Sequence, residues 1–319
     1  MSVKSIKITF ISTVYNESKS IKKFLKSLDN QKRLPDEVII VDAASTDGTA
    51  DIIRMYPFKR IKNVKVLIKK GNRSVGRNEA IKHARYQIIA CSDSGNILDA
   101  LWLKHITEPF KNNGIDVVSG FYQGKANTVF QQAVIPFALV MPDKVKSNDF
   151  LPATRSIAFT KKIWEQAGKF NESLSHNEDF AFAHALKKHN AIMYFEKKAI
   201  VYWLPRNSIR EAYIMFLRFA YGDAEARLYR PKVVVLFIRY LLAVILAMSA
   251  IITVTPEFFA LLLLGVVFYS YWAMAKNYRY VNGAKAGAYL LLLQYTSDIA
   301  VMHGTIFGIL GIWDIRKTQ

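Results

Sequence analysis

The chain changes its preferred solvent partway along its length. Up to about residue 206 apolar and polar residues alternate in short blocks. Beyond Lys232 three apolar stretches dominate: Val233–Val254, Phe258–Ala275 and Ala286–Trp313. About 20 helical residues cross a bilayer core, so the first stretch spans comfortably and the second adequately. Thr255, Pro256 and Glu257 join them without a lysine or arginine, whereas Lys276, Arg279 and Lys285 follow the second. That bias predicts a hairpin whose turn lies on the far side and whose ends face the cytoplasm. The third stretch holds Gln294, Asp298 and His303 and is followed by Arg316 and Lys317. Spanning, re-entrant and interfacial placements all stay open for it. An acid among lipid tails is costly, and a polar contact between helices is the expected role of Asp298.

The net charge of +19 points either to an anionic partner or to a lysine-rich surface of the kind thermophile proteins carry. The apolar tail favours lipid headgroups over nucleic acid, for which no motif is present. With Cys91 as the single cysteine, no internal disulfide can form. Lys4 and Lys7 precede only a short apolar run, so no signal peptide is expected and the N-terminal part should stay cytoplasmic. Between Ser208 and Arg230 aromatics such as Tyr213, Phe216 and Tyr229 mix with Arg218 and Arg227. This reads as an amphipathic helix in the membrane interface. Three regions follow: an N-terminal domain over 1–206, an interfacial region over 207–231 and a transmembrane region over 232–319.

The first region reads as repeated β-α units. The runs around Ile8–Tyr15, Glu37–Ala43, Asn63–Lys70 and Gln87–Asp93 are strand-like, and helical spacing follows each. Ser18 is the expected cap of the first helix. Residues 124–149, with Pro136 and Pro142, look irregular. Glu178 and Asp179 open a helix that ends in lysines, as the helix dipole favours. Such units imply an α/β fold with a parallel sheet between helices, and a ligand crevice beyond the carboxyl ends of the strands. Asn16, Glu17, Asp42 and Asp93 fall at those ends. Asp47 is expected to cap the next helix.

Five segments in order, STVYNES, EVIIVDAASTDGT, GRNEAIKHA, ACSDSGN and NEDFAFA, resemble the motifs of family 2 inverting glycosyltransferases with the glycosyltransferase-A fold. The resemblance runs from about Ile6 to Arg230. It implies transfer of a sugar from a nucleotide-diphosphate donor, UDP- or GDP-linked, with inversion at the anomeric carbon. It gives Thr13, Tyr15 and Glu17 to the nucleotide wall, Asp42 to the base, and Arg77 to the base or diphosphate. Arg155 and Ser156 would line the donor-sugar or acceptor pocket, and Arg218 would meet donor or lipid phosphates. Asp179 is implied as the general base, with Glu178 beside it. Asp93 matches the first aspartate of the family's metal motif and would meet Mg²⁺ or Mn²⁺ at the donor diphosphate. Gly95 stands where the second aspartate is usual, and Trp203 lies near where relatives have a histidine ligand.

The expected function is a multi-pass cell-membrane glycosyltransferase of envelope glycan synthesis. Its acceptor would be a lipid-linked or glycan hydroxyl. Alternatives are a polyprenyl-phosphate acceptor, or a degenerate nucleotide-sugar-binding scaffold for which Gly95 is the support. Homo-oligomerisation stays open.

Overall fold

The computed structural model describes residues 6–112, 114–146, 150–228 and 230–312. They divide into two units. One comprises residues up to Lys125 together with Pro142–Leu204. The other joins Ala126–Met141 to the chain from Pro205 onward.

The first unit begins with β1 (Ile8–Val14), α1 (Ile21–Asp29), β2 (Glu37–Asp42), α2 (Thr49–Arg54), β3 (Val64–Ile68), α3 (Arg73–His83) and β4 (Ile88–Cys91). Then come β5 (Asn96–Leu98), α4 (Trp102–Thr107) and β6 (Val117–Gly124). After α5 (Val129–Ala138), which belongs to the second unit, follow β7 (Ile157–Thr160), α6 (Lys161–Gln166), α7 (Glu178–Lys188) and β8 (Met193–Trp203). The sheet order is β3-β2-β1-β4-β7-β6-β8-β5. The β3-β2-β1-β4 half is parallel throughout, as repeated β-α units require. The rest is mixed. β7 runs antiparallel to β4 and β6, and β5 runs antiparallel to β8. The parallel expectation holds for the β-α repeats and for β6 beside β8, and fails for β7 and β5, which run against their neighbours.

Alternation along β1 builds two cores. Phe10 faces Phe24 of α1 and Trp102 of α4, with ring centroids 6.1 and 5.9 Å away. Ile11 faces the opposite way, into a cluster with Ala80 and Ile81 of α3, Trp164 of α6 and Phe182 of α7. The strand order turns back at β1: β2 and β3 lie to one side and β4 to the other. That switch point opens the crevice beyond their carboxyl ends.

Two local expectations change. Ser18 does not cap α1. The helix starts at Ile21 after Ser20, whose hydroxyl bonds to Glu17. The 124–149 stretch is not irregular throughout. Thr128 caps α5, accepting the Gln131 N–H at 3.2 Å, and Pro136 sits within that helix.

The second unit comprises α5, α8 (Ile209–Glu225), α9 (Pro231–Thr253), α10 (Pro256–Tyr278) and α11 (Ala284–Leu310). Among the described residues α9 and α10 are the helices long and apolar enough to cross a membrane, and little of either is buried. They meet at a turn in which Val254 has a φ of 51° and Pro256 starts α10. α11 packs closely along α8. A Cβ on Gly304 would lie 2.3 Å from the Leu217 carbonyl oxygen, and one on Gly308 would lie 2.7 Å from that of Tyr221. Asp298 of α11 is buried and accepts hydrogen bonds from Arg239 and Tyr240 of α9, Tyr269 of α10 and Gln294. It is the contact between helices that its position suggested. Trp313, Arg316 and Lys317 lie outside the described residues, as does Tyr229.

Candidate active site

The loops after β1 and β2 are laced together at the crevice. The Asn16 N–H donates to Ser45 Oγ (2.9 Å), and the Thr46 N–H donates back to Asn16 Oδ1 (3.0 Å). Asp47 accepts from the Ser18 N–H at 2.9 Å and from the Thr49 hydroxyl at 2.5 Å. Desolvation by its neighbours works against its charge, but these bonds outweigh that and hold the carboxyl down at about 2. Asp47 thus ties the two loops together as well as contacting the start of α2. Asn16 and Ala44 carry the loops at positive φ, 51° and 63°. Such strained backbone concentrates at binding sites.

Asp42 ends β2 fully buried. Its Oδ1 accepts the Ser45 N–H at 2.6 Å, and its Oδ2 has no hydrogen-bond partner. A buried carboxylate oxygen left without a donor is costly, and a ligand N–H or O–H would relieve that cost. Thr13 and Glu17 are partly exposed near these loops, and the Tyr15 ring is 39% exposed, open for stacking. Glu17 also serves the fold, since its carbonyl receives the first N–H groups of α1.

Arg77 lies mid-way along α3 and is 1% exposed. Its guanidinium donates to Asp93 Oδ1 at 2.8 Å and Glu178 Oε1 at 2.5 Å and lies over the Phe170 ring. The next residue, Asn78, donates to the Phe170 carbonyl and accepts from the Trp164 indole. Asn72, which caps α3, donates to the Glu172 and Leu174 carbonyls. One face of α3 therefore anchors the loop that leads to Glu178 and Asp179. Val75, Gly76, Ala80 and Ile81 around the Arg-Asn pair are the sequence signal that this face is buried, and in the structure a Cβ on Gly76 would lie 2.6 Å from Thr13.

The electrostatics follow from that arrangement. Burial opposes the charge on Glu178, but Arg77, with help from Arg73, overcomes it and depresses the carboxyl to about 2. Asp179, at the α7 start and partly exposed, goes the other way: burial and then the neighbouring Glu178 charge raise its pKa. Two adjacent carboxyls are thus driven apart, a pattern that separates a structural acid from a proton acceptor. Cys91 is buried and its thiol is pushed up to about 12, which leaves it inert.

Arg155 is held over two rings, 5.6 Å from Tyr122 and 5.7 Å from Trp203. Trp203 therefore steadies a cation rather than ligating one. Ser156 is fully buried, accepts the Trp102 indole N–H at 2.8 Å and donates to the Ala199 carbonyl. Arg218 lies on α8, in the second unit.

No cluster of three His, Cys, Asp or Glu side chains suited to a metal occurs among the described residues. Asp93, with its side chain 36% exposed, offers one carboxylate, one oxygen of which is engaged by Arg77. That donor set fits a cation arriving with a diphosphate, since Mg²⁺ often uses one carboxylate plus substrate oxygens. Gly95 is exposed, and a Cβ there would meet nothing within 4 Å.

Residues 9–159 match the model of the family described as "Glycosyl transferase family 2". Over those residues the chain matches a family 2 glycosyltransferase domain, and its fold is that of the glycosyltransferase-A class. Curated relatives include the poly-beta-1,6-N-acetyl-D-glucosamine synthase of Staphylococcus epidermidis, 26% identical over 69% of this chain and 55% of its own length. The succinoglycan biosynthesis protein ExoO of Rhizobium meliloti is 27% identical over 54% of this chain and 53% of its own. The chain spans about half the length of these relatives. Solved structures share the fold. A mannosyltransferase from Pyrobaculum calidifontis, in complex with GDP-Man and Mn²⁺, aligns with a TM-score of 0.58 at 16% identity, over 96% of this chain and 88% of its own. S. aureus TarS 1-349, in complex with UDP, aligns with a TM-score of 0.52 at 18% identity, over 97% and 93%.

Proposed function

We propose that this protein is a membrane-anchored inverting glycosyltransferase. It moves a sugar from a UDP- or GDP-linked donor to a hydroxyl of a lipid-linked or glycan acceptor. The observation that carries the reading is the ion-pair chain from Asp93 through the buried Arg77 to the buried Glu178, with Asp179 next to it and its pKa raised. In this scheme Asp42 receives a base or ribose donor group and Tyr15 stacks on the base. Asp93 meets the diphosphate side, together with any divalent cation that accompanies it and neutralises the leaving group. Asp179 takes the proton of the acceptor hydroxyl as it attacks in line. Arg77 acts as a positioning residue that holds Asp93 and Glu178 in register. Arg155, steadied by its two rings, faces the transferred sugar or acceptor.

α9 and α10 support anchoring in the cell membrane, with the N-terminal domain on the cytoplasmic face and envelope glycan synthesis as the setting. In this scheme α8 lies in the interface, and α9 and α10 lie in the bilayer.

The test is transfer by the purified full chain, with a panel of nucleotide sugars and lipid-linked acceptors. Asp179→Asn should lower the transfer rate by about 10²–10⁴-fold, the usual worth of a general base, while donor binding persists. Near-normal transfer would replace the hydroxyl acceptor with one already ionised, such as a polyprenyl phosphate. Donor binding without turnover on any acceptor would leave only the scaffold reading.

A further inference from the structure

The second unit contains a groove of about 360 Å³ between α8, the first turns of α9 and the C-terminal half of α11. Ala220, Val234, Phe237, Ile306 and Ile309 form its apolar walls. The volume falls in the range of ordinary small-molecule sites, which combine apolar walls with a few placed polar groups.

Here the polar groups gather at one end. Arg230 Nε lies 2.6 Å from Asp223 Oδ2, and its Nη2 donates to Asp223 Oδ1 at 3.1 Å. The bidentate pair fixes the direction of the guanidinium while half of the Arg230 side chain stays exposed. α9 begins at Pro231, so its N-terminal amide groups and positive dipole end sit beside the same cation. Arg227 and Lys232, both exposed, add charge of the same sign. The opposite character prevails along the walls: Val234 and Ile309 are 55% and 57% exposed, so the slot is open along its side.

A fixed cation, a helix N-terminus and an apolar slot open to the side together match an amphiphile with an anionic head and a long hydrocarbon chain. We infer that this groove seats the lipid end of the acceptor, with its phosphate at Arg230 and the α9 start and its chain along Val234, Phe237 and Ile309. The inference rests on the lipid-linked acceptor reading above.

Native mass spectrometry on the detergent-solubilised full chain tests it, with three probes: phytanyl monophosphate, phytanol and inorganic phosphate. The expected result is retention of phytanyl monophosphate at least tenfold above either other probe. Val234→Trp fills the slot from an exposed position and should lower that retention about tenfold. Arg230→Ala should erase the preference for the phosphate over the alcohol. Retention in Val234→Trp within twofold of the unaltered chain, or equal retention of phytanol, would overturn the groove. Retention as expected, but no sugar transfer to any lipid-linked acceptor, would instead overturn the acceptor reading and leave the groove as a site for a lipid phosphate.

Discussion

Arg77 shows what a charge does when the chain folds around it. Its two carboxylate partners compensate it in a place that water does not reach. Arg77→Met should destabilise the first unit by about 3–5 kcal/mol, since removing one partner of a buried pair strands the others. Urea unfolding would measure it, and a loss below about 1 kcal/mol would contradict the buried pair. Glu178 makes the same point through pH. Its folded pKa, about 2, lies below the unfolded value of about 4.3. The stability it contributes is present above pH ~4.3 and is lost as pH falls toward 2. Glu178→Gln should flatten that acid-side fall in a pH series of unfolding curves. It should also shift the acid limb of the rate profile to lower pH. With the neighbouring negative charge gone, Asp179 ionises more easily. A limb that stays in place would argue against Asp179 as the base. Gly95 permits a gain rather than a loss. A side chain there meets open space, so Gly95→Asp should fold normally and tighten Mn²⁺-dependent donor binding, readable by calorimetry with and without chelator.

At the scale of elements, the close approach of α8 and α11 is set by missing side chains. Gly304→Val would drive a side chain into the Leu217 carbonyl and should cost about 1–3 kcal/mol, the usual penalty for overpacking. Gly265→Ala on α10, where a Cβ meets nothing, is the matched control and should leave the midpoint of thermal unfolding unchanged or slightly raised. These elements also mark what could be read from the sequence. β1 to β4 were legible because buried parallel strands are continuous apolar runs and each is followed by a helical period. β5 was not, because three residues carry no period. α5 was hidden by Pro136, which usually ends a helix. The placement of candidate site residues was legible where a residue type at a strand end suffices, as with Asp42 at the end of β2 and Asp93 just after β4. It was not where burial decides the role. The sequence places Arg77 and Ser156 beside the crevice, but only packing reveals that Arg77 binds two acids and Ser156 binds Trp102 and Ala199.

For the molecule as a whole, the division into units does not follow the order of the chain. The second unit takes residues 126–141 from the middle of the sequence and the rest from its end. Within it, Phe130 of α5 meets Tyr289 of α11 at 5.3 Å, and Phe137 meets Phe216 of α8 at 6.1 Å. This arrangement has a consequence for birth on the ribosome. α5 is finished about 150 residues before α11 begins, which at ordinary elongation rates is a wait on the order of ten seconds. Through that interval α5 has at most α8 beside it, and the face it will turn to α11 needs a temporary partner, whether a chaperone or the bilayer itself. A gene cut after Leu204 to make a soluble enzyme would make that wait permanent.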